Sequence, residues 1–203
     1  MGKYLAKKVE IESAFKVKAD SLLNALRSEV EDAEEYNTDQ RALRLQSATD
    51  KYEAAMGRAR SLAIDLEASM FEEARAELEA VLTKTPSASQ MGYLQAFKML
   101  DNPTKDDLMK AAGVAKGNAI AERVVYDACP DSVRITAEIP EPVNLKALRS
   151  AIDAFENRRA ERITHYGETD GKGNLQGEFD DLFVPSATCE ALDELDAVIE
   201  RYA

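Results

Sequence analysis

The stretch from Gly167 to Asp181, "GETDGKGNLQGEFDD", sets acidic side chains, glycines and a central leucine at spacings close to those of a calcium loop. Calcium is a hard cation that needs oxygen ligands at positions 1, 3 and 5, glycine at 6 for the turn, an apolar residue at 8 and a bidentate glutamate at 12. The frame with glycine and leucine in place gives Glu168, Asp170, Lys172, Gly173, Leu175 and Phe179. Lys172 then puts a cation at a ligand position, and Phe179 replaces the bidentate carboxylate. The stretch reads as a solvated acidic loop, not a metal site.

Other chemistry-bearing residues are sparse. His165 is the sole histidine and stands in "ITHYGE" at a helix end, where an imidazole serves as a C-terminal cap. No nucleophile motif accompanies it. "RRAER", Arg158 to Arg162, is the one concentrated basic patch, and Glu156 and Glu161 offer intrahelical partners for it. "GVAKGN", Gly113 to Asn118, lacks the spacing and the Lys-Ser/Thr ending of a phosphate loop. Cys129 and Cys189 stand 60 residues apart outside any CxxC or Cys/His grouping, so neither a zinc site nor a disulfide framework is expected. The acidic runs "EVEDAEE" and "EFDD" read as solvated surface, with nucleic-acid mimicry the functional alternative. The expectation is a protein without catalytic residues, metal ligands or a cofactor.

Composition defines what must carry these residues. The chain has 203 residues, 45% apolar and 32% charged, with no Trp and only 9 Gly and 6 Pro, as in long helices and coiled coils. Its 38 acidic against 26 basic residues give a formal net charge of -12, which opposes direct nucleic-acid binding and association with an anionic membrane. The N-terminal residues lack an apolar signal core and no 18-residue apolar run occurs, so neither a secretion signal nor a membrane span is expected.

The fold class expected is mainly α: a long helical hairpin or coiled-coil stalk followed by a small helical domain, with at most one short strand or hairpin. From Lys3 to about Glu35, Ile11, Phe15, Ala19, Leu22, Leu26, Val30 and Ala33 fall on one helical face. After "YNTDQ" a second helix runs to about Leu82. In it Leu45, Ala48, Tyr52, Ala55, Ala59, Leu62 and Leu66 alternate spacings of 3 and 4, a heptad seam suited to self-association. The 38 residues from Leu45 to Leu82 would span roughly 55 Å, and the stripe needs the first helix, another copy of the protein, or both to cover it.

Pro86 ends this stalk, so residues 1–85 form the first region. Residues 87–129 form a small helical domain. Ser87 and Gln90 predict a capping box ahead of Met91, Leu94, Phe97, Met99 and Leu100. Pro103 suits the first position of the next helix, which closes near Gly113 or Gly117, and Asn118 starts another. Residues 130–203 complete the chain. Val133, Ile135, Ala137 and Ile139 alternate as in a short strand or extended linker, and Asn144 caps a helix bearing Leu145, Leu148, Ile152 and Phe155. After the acidic glycine-rich loop, a closing helix carries Leu192, Leu195, Val198 and Ile199.

Leu94, Gln95, Ala96, Phe97, Leu100, Asn102, Pro103, Asp106, Leu108, Asn118 and Ala121, placed after a long charged coiled coil, resemble a module of small bacteriophage and prophage proteins. The resemblance implies a non-enzymatic phage protein of the virion or its assembly pathway, located in the virion or the bacterial host cytoplasm. Its expected partners are further copies of itself and phage coat, portal or tail proteins. The acidic balance supports a second expectation, a phage-encoded inhibitor that occupies a nucleic-acid-binding site on a host protein.

Overall fold

The computed structural model describes residues 2–130, 139, 141–169 and 186–203. Among these the protein is mainly α, with seven helices and no strand. They are α1 (Lys3–Ala33), α2 (Thr38–Leu82), α3 (Ala88–Lys98), α4 (Lys105–Ala115), α5 (Ala119–Asp127), α6 (Leu145–His165) and α7 (Ser186–Tyr202). The alternating segment from Val133 to Ala137 lies outside the described residues, as does the calcium-loop frame from Asp170 onward.

The chain divides into two compact units, one of residues 1–72 and 150–193, the other of residues 73–149 and 194–203. In the first, α1 and the N-terminal part of α2 form a hairpin. Asn37 turns the chain: its side chain accepts from the Gln40 N–H at 3.1 Å and its carbonyl from the Arg41 N–H at 2.8 Å, so both satisfy donors of the new helix. Phe15, Ala19, Leu23 and Leu26 of α1 pack with Ala48, Tyr52, Met56 and Ala63 of α2 and with Ile163 and Tyr166. Ile11, Leu22 and Val30 border this core, so the expected α1 face is the buried one. Each large side chain so buried contributes about 1.5–3 kcal/mol. The Phe15 and Tyr166 rings meet edge to face at 5.6 Å.

The second unit closes around Leu94, Phe97, Leu108, Ala111, Ala115, Ala121 and Val125 of α3, α4 and α5. Ser87 and Gln90 form the expected capping box. Of the apolar residues assigned to α3's face, Leu94 and Phe97 are buried whereas Met91, Met99 and Leu100 are exposed, because three short helices leave room for one stripe each. Pro103 does not open α4. Thr104 is the cap, sharing a capping box with Asp107, and the helix begins one residue later. These hydrogen bonds, led by that from the Thr104 hydroxyl, hold the Asp107 carboxyl below its ordinary pKa. The helix passes through Gly113 and ends at Ala115, after which Gly117 takes a left-handed φ of 81° that favours glycine.

The unit boundary falls inside α2, between residues 72 and 73, and not at Pro86. Asn118 shows why. Its Oδ1 caps α5 by accepting from the Ala121 N–H at 2.9 Å, while its Nδ2 donates to the Lys84 carbonyl at 2.8 Å. Lys84 Nζ in turn donates to the Ala203 carbonyl at 2.8 Å, and Arg149 pairs with Glu79. The last turns of α2 are thereby tied to the small helical unit. Asn144 caps α6 as expected, accepting from the Ala147 N–H at 3.1 Å, and Leu148 and Ile152 are buried. Leu192, Leu195, Val198 and Ile199 of α7 are all buried, as their spacing requires.

Candidate interaction surfaces

The expected seam on α2 is split by the fold. Ala48 and Tyr52 lie in the core, and Leu45, Ala55 and Ala59 are half-buried. Leu62 and Leu66 are exposed, at 61% and 47%. The buried line instead runs through Ala48, Tyr52, Met56, Ala63, Glu67, Met70, Ala74, Leu78 and Val81. An α-helix advances 3.6 residues per turn, so a strict seven-residue repeat drifts by about 20° per heptad. Over the three heptads of the seam this reaches roughly 60°, enough to rotate Leu62 and Leu66 off the core while Ala63 and Glu67 enter it. The result is a helix with its inner face buried and half a heptad seam left outside.

Where α6 ends, the first unit holds a cavity of about 350 Å³ lined by Tyr52, Glu53, Met56, Arg60 and the residues Gly167 to Thr169. Arg60 donates from Nε and Nη2 to the Tyr166 carbonyl, at 3.0 and 2.6 Å, placing a cation at the negative end of α6. Gly167 has φ 76°, and a Cβ there would lie 2.8 Å from Met56 Cε and 3.0 Å from the Tyr52 oxygen. Burial raises the Tyr52 phenol above its ordinary pKa, against the opposing charges of Arg60 and Arg27. These contacts serve to anchor the helix end.

The same unit buries charge between α1 and α2. Lys8 and Glu12 are 1% exposed and 3.9 Å apart, and Glu67 is also buried. Burial pushes the Glu67 carboxyl up to about 7, with Lys8 opposing. Glu67 occupies a position on the core stripe where the sequence pattern alone suggests surface.

In the second unit a cleft of about 610 Å³ is lined mainly by apolar surface, including Met109, Ala112, Val125 and Ile139, with Lys116, Glu122 and Arg201 as its charged groups. A Cβ at Gly113 would meet no atom within 4 Å, so this wall is open. Glu122 organises the polar side. One oxygen accepts from the Gly117 N–H at 3.1 Å; the other accepts from the Tyr202 hydroxyl at 2.8 Å and from Arg201. Burial, then the Glu122 hydrogen bond and charge, push the Tyr202 phenol up to about 12, with Arg201 opposing. A carboxylate committed to three donors is a structural fixture, and the apolar lining suits a side chain of a partner more than a polar substrate. Met109, on the cleft wall, is exposed, as are Met91 and Met99 elsewhere on the unit.

Neither Glu122 nor Tyr202 was expected from the sequence, since 80 residues separate them and only the fold brings them together. Among the described residues, no group of three or more His, Cys, Asp or Glu side chains is arranged to hold a metal ion. Among them, too, no helix is long and apolar enough to cross a membrane. The side chains of "RRAER" and of His165 and Cys189 lie outside the described residues. Comparison with protein-family models, with curated proteins and with solved structures finds no match for this chain.

Proposed function

We propose that this is a non-enzymatic bacteriophage structural or virion-assembly protein that acts through self-association along α2 and partner binding by its small helical unit. The observation that carries the reading is the exposure of Leu62 and Leu66 on an otherwise charged helix face, in heptad register with half-buried Ala55 and Ala59. The apolar cleft beside Met109 supports the second half of the reading, a groove for a coat, portal or tail protein. The phage context comes from the resemblance of residues 87–129.

Sedimentation equilibrium tests self-association directly. The wild-type chain is expected to form oligomers, and Leu62→Glu to shift them toward monomer while far-UV circular dichroism stays unchanged, because the side chain is outside the core. A wild-type monomer at all concentrations rejects the reading. Affinity capture from phage-producing cells tests the partner: coat, portal or tail proteins support an assembly role. The net charge of -12 favours one second reading, an acidic inhibitor of a host protein, for which capture of a basic nucleic-acid-binding protein is the expected result.

A further inference from the structure

The half-seam left outside the core is flanked by one row of charges. Lys51, Arg58, Asp65 and Glu72 recur at seven-residue spacing beside Ala55, Ala59, Leu62 and Leu66. All four are exposed. The same register holds Arg44 before them and Glu79 after them, so cations occupy the first three heptads of the row and carboxylates the last three. Reversing the helix about the point between Ser61 and Leu62 exchanges every cation for a carboxylate.

We infer that α2 pairs antiparallel with α2 of a second copy about a two-fold axis at this point. Arg58 then meets Asp65 of the partner subunit, and Lys51 meets Glu72 of the partner subunit. Flanking charges of this kind set partner choice and orientation in helix pairs. In an antiparallel pair related by a two-fold axis, the same flank of each helix faces its counterpart, so a self-complementary row is what such a pair requires. A parallel pair would set the basic half level with the basic half. The apolar strip fits too: Leu62 sits at the centre, and Ala55, Ala59 and Ser69 allow close approach on either side. Lys51 also lies 3.7 Å from Glu29 of its own chain, an exposed pair that solvent and salt screen and that leaves the lysine able to turn outward.

This inference rests on the self-association reading and adds its geometry. Its test is a distance measurement between spin labels in the full-length oligomer, in a Cys129→Ala/Cys189→Ala background. Antiparallel pairing places labels at Ser61→Cys within about 20 Å of each other and labels at Ser47→Cys roughly 40 Å apart, given a rise of about 1.5 Å per residue. Short distances at both positions mean a parallel pair and overturn the orientation while self-association stands. Long distances at Ser61→Cys mean another surface and overturn the inference likewise; a monomer overturns the self-association reading itself. As a second measurement, Arg58→Glu is expected to weaken association about tenfold or more, and Arg58→Glu/Asp65→Arg to restore it. A swap that fails to restore association, with helicity intact, contradicts the proposed pairing.

Discussion

The Tyr52 hydroxyl on α2 donates a 2.6 Å hydrogen bond to the carbonyl of Gly167, 115 residues later in the chain, and so fastens the end of α6 to the α1–α2 hairpin. Tyr52→Phe keeps the ring and leaves that carbonyl without its phenol donor, an expected loss of about 1–2 kcal/mol in urea unfolding. Gly167→Ala should cost more, about 2–4 kcal/mol, since the left-handed φ and the 2.8 Å approach to Met56 act together. If Gly167→Ala unfolds at the wild-type midpoint, this junction is not a point of strain.

Glu67 gives stability a pH dependence of known sign. Its folded pKa of about 7 exceeds the ordinary 4.5, so between these values the folded state holds a proton that the unfolded state has released. Stability therefore falls as pH rises from about 4.5 to 7, and the penalty is complete above that. Glu67→Gln removes the titrating group. It is expected to gain on wild type by on the order of 2 kcal/mol between pH 5 and pH 8, read from paired denaturation curves. Parallel pH profiles for the two proteins would show that Glu67 is not the group responsible.

Tyr202 extends the argument to alkaline pH. With its phenol pushed up to about 12 against an ordinary 10.0, the folded state keeps a proton that the unfolded state loses, and stability declines across that window. Glu122→Gln removes the nearby negative charge and should lower the Tyr202 titration, followed by NMR of the labelled phenol carbon. An unmoved titration would leave burial as its sole cause.

Asn118 caps α5 and holds the exit of α2 with the two ends of one amide. Asn118→Ala leaves a helix N–H and the Lys84 carbonyl without these partners, at an expected cost of about 2 kcal/mol. Asn118→Asp keeps the acceptor and loses only the donor, so it should fall between. Hydrogen exchange at Ala121 reads the cap separately from global unfolding.

Much of the local structure was legible along the chain. Ser87 with Gln90, Asn118 and Asn144 announced helix starts because capping uses a side chain to satisfy N–H groups within three residues. Phe15, Ala19 and Leu26 marked a buried face because helical periodicity is a property of the backbone alone. The α2 seam was harder. Its seven-residue repeat is present in the residues, but which half would be covered depends on where α1 and Tyr166 meet it. The charge row beside the seam is also in the sequence, yet it acquires meaning only once Leu62 and Leu66 prove to be outside the core.

The sequence by itself determined the helical class, the helix starts marked by Ser87, Asn118 and Asn144, and the buried face of α1, since these follow from hydrogen bonds and side-chain spacings within a few residues. Tertiary structure alone decided that α2 is shared between two units, that Glu67 is buried, that Gly167 lies against Tyr52 and that Glu122 gathers Gly117, Arg201 and Tyr202. Those relationships join residues far apart in the chain, and no local pattern encodes a contact whose two halves are set by the packing of different helices.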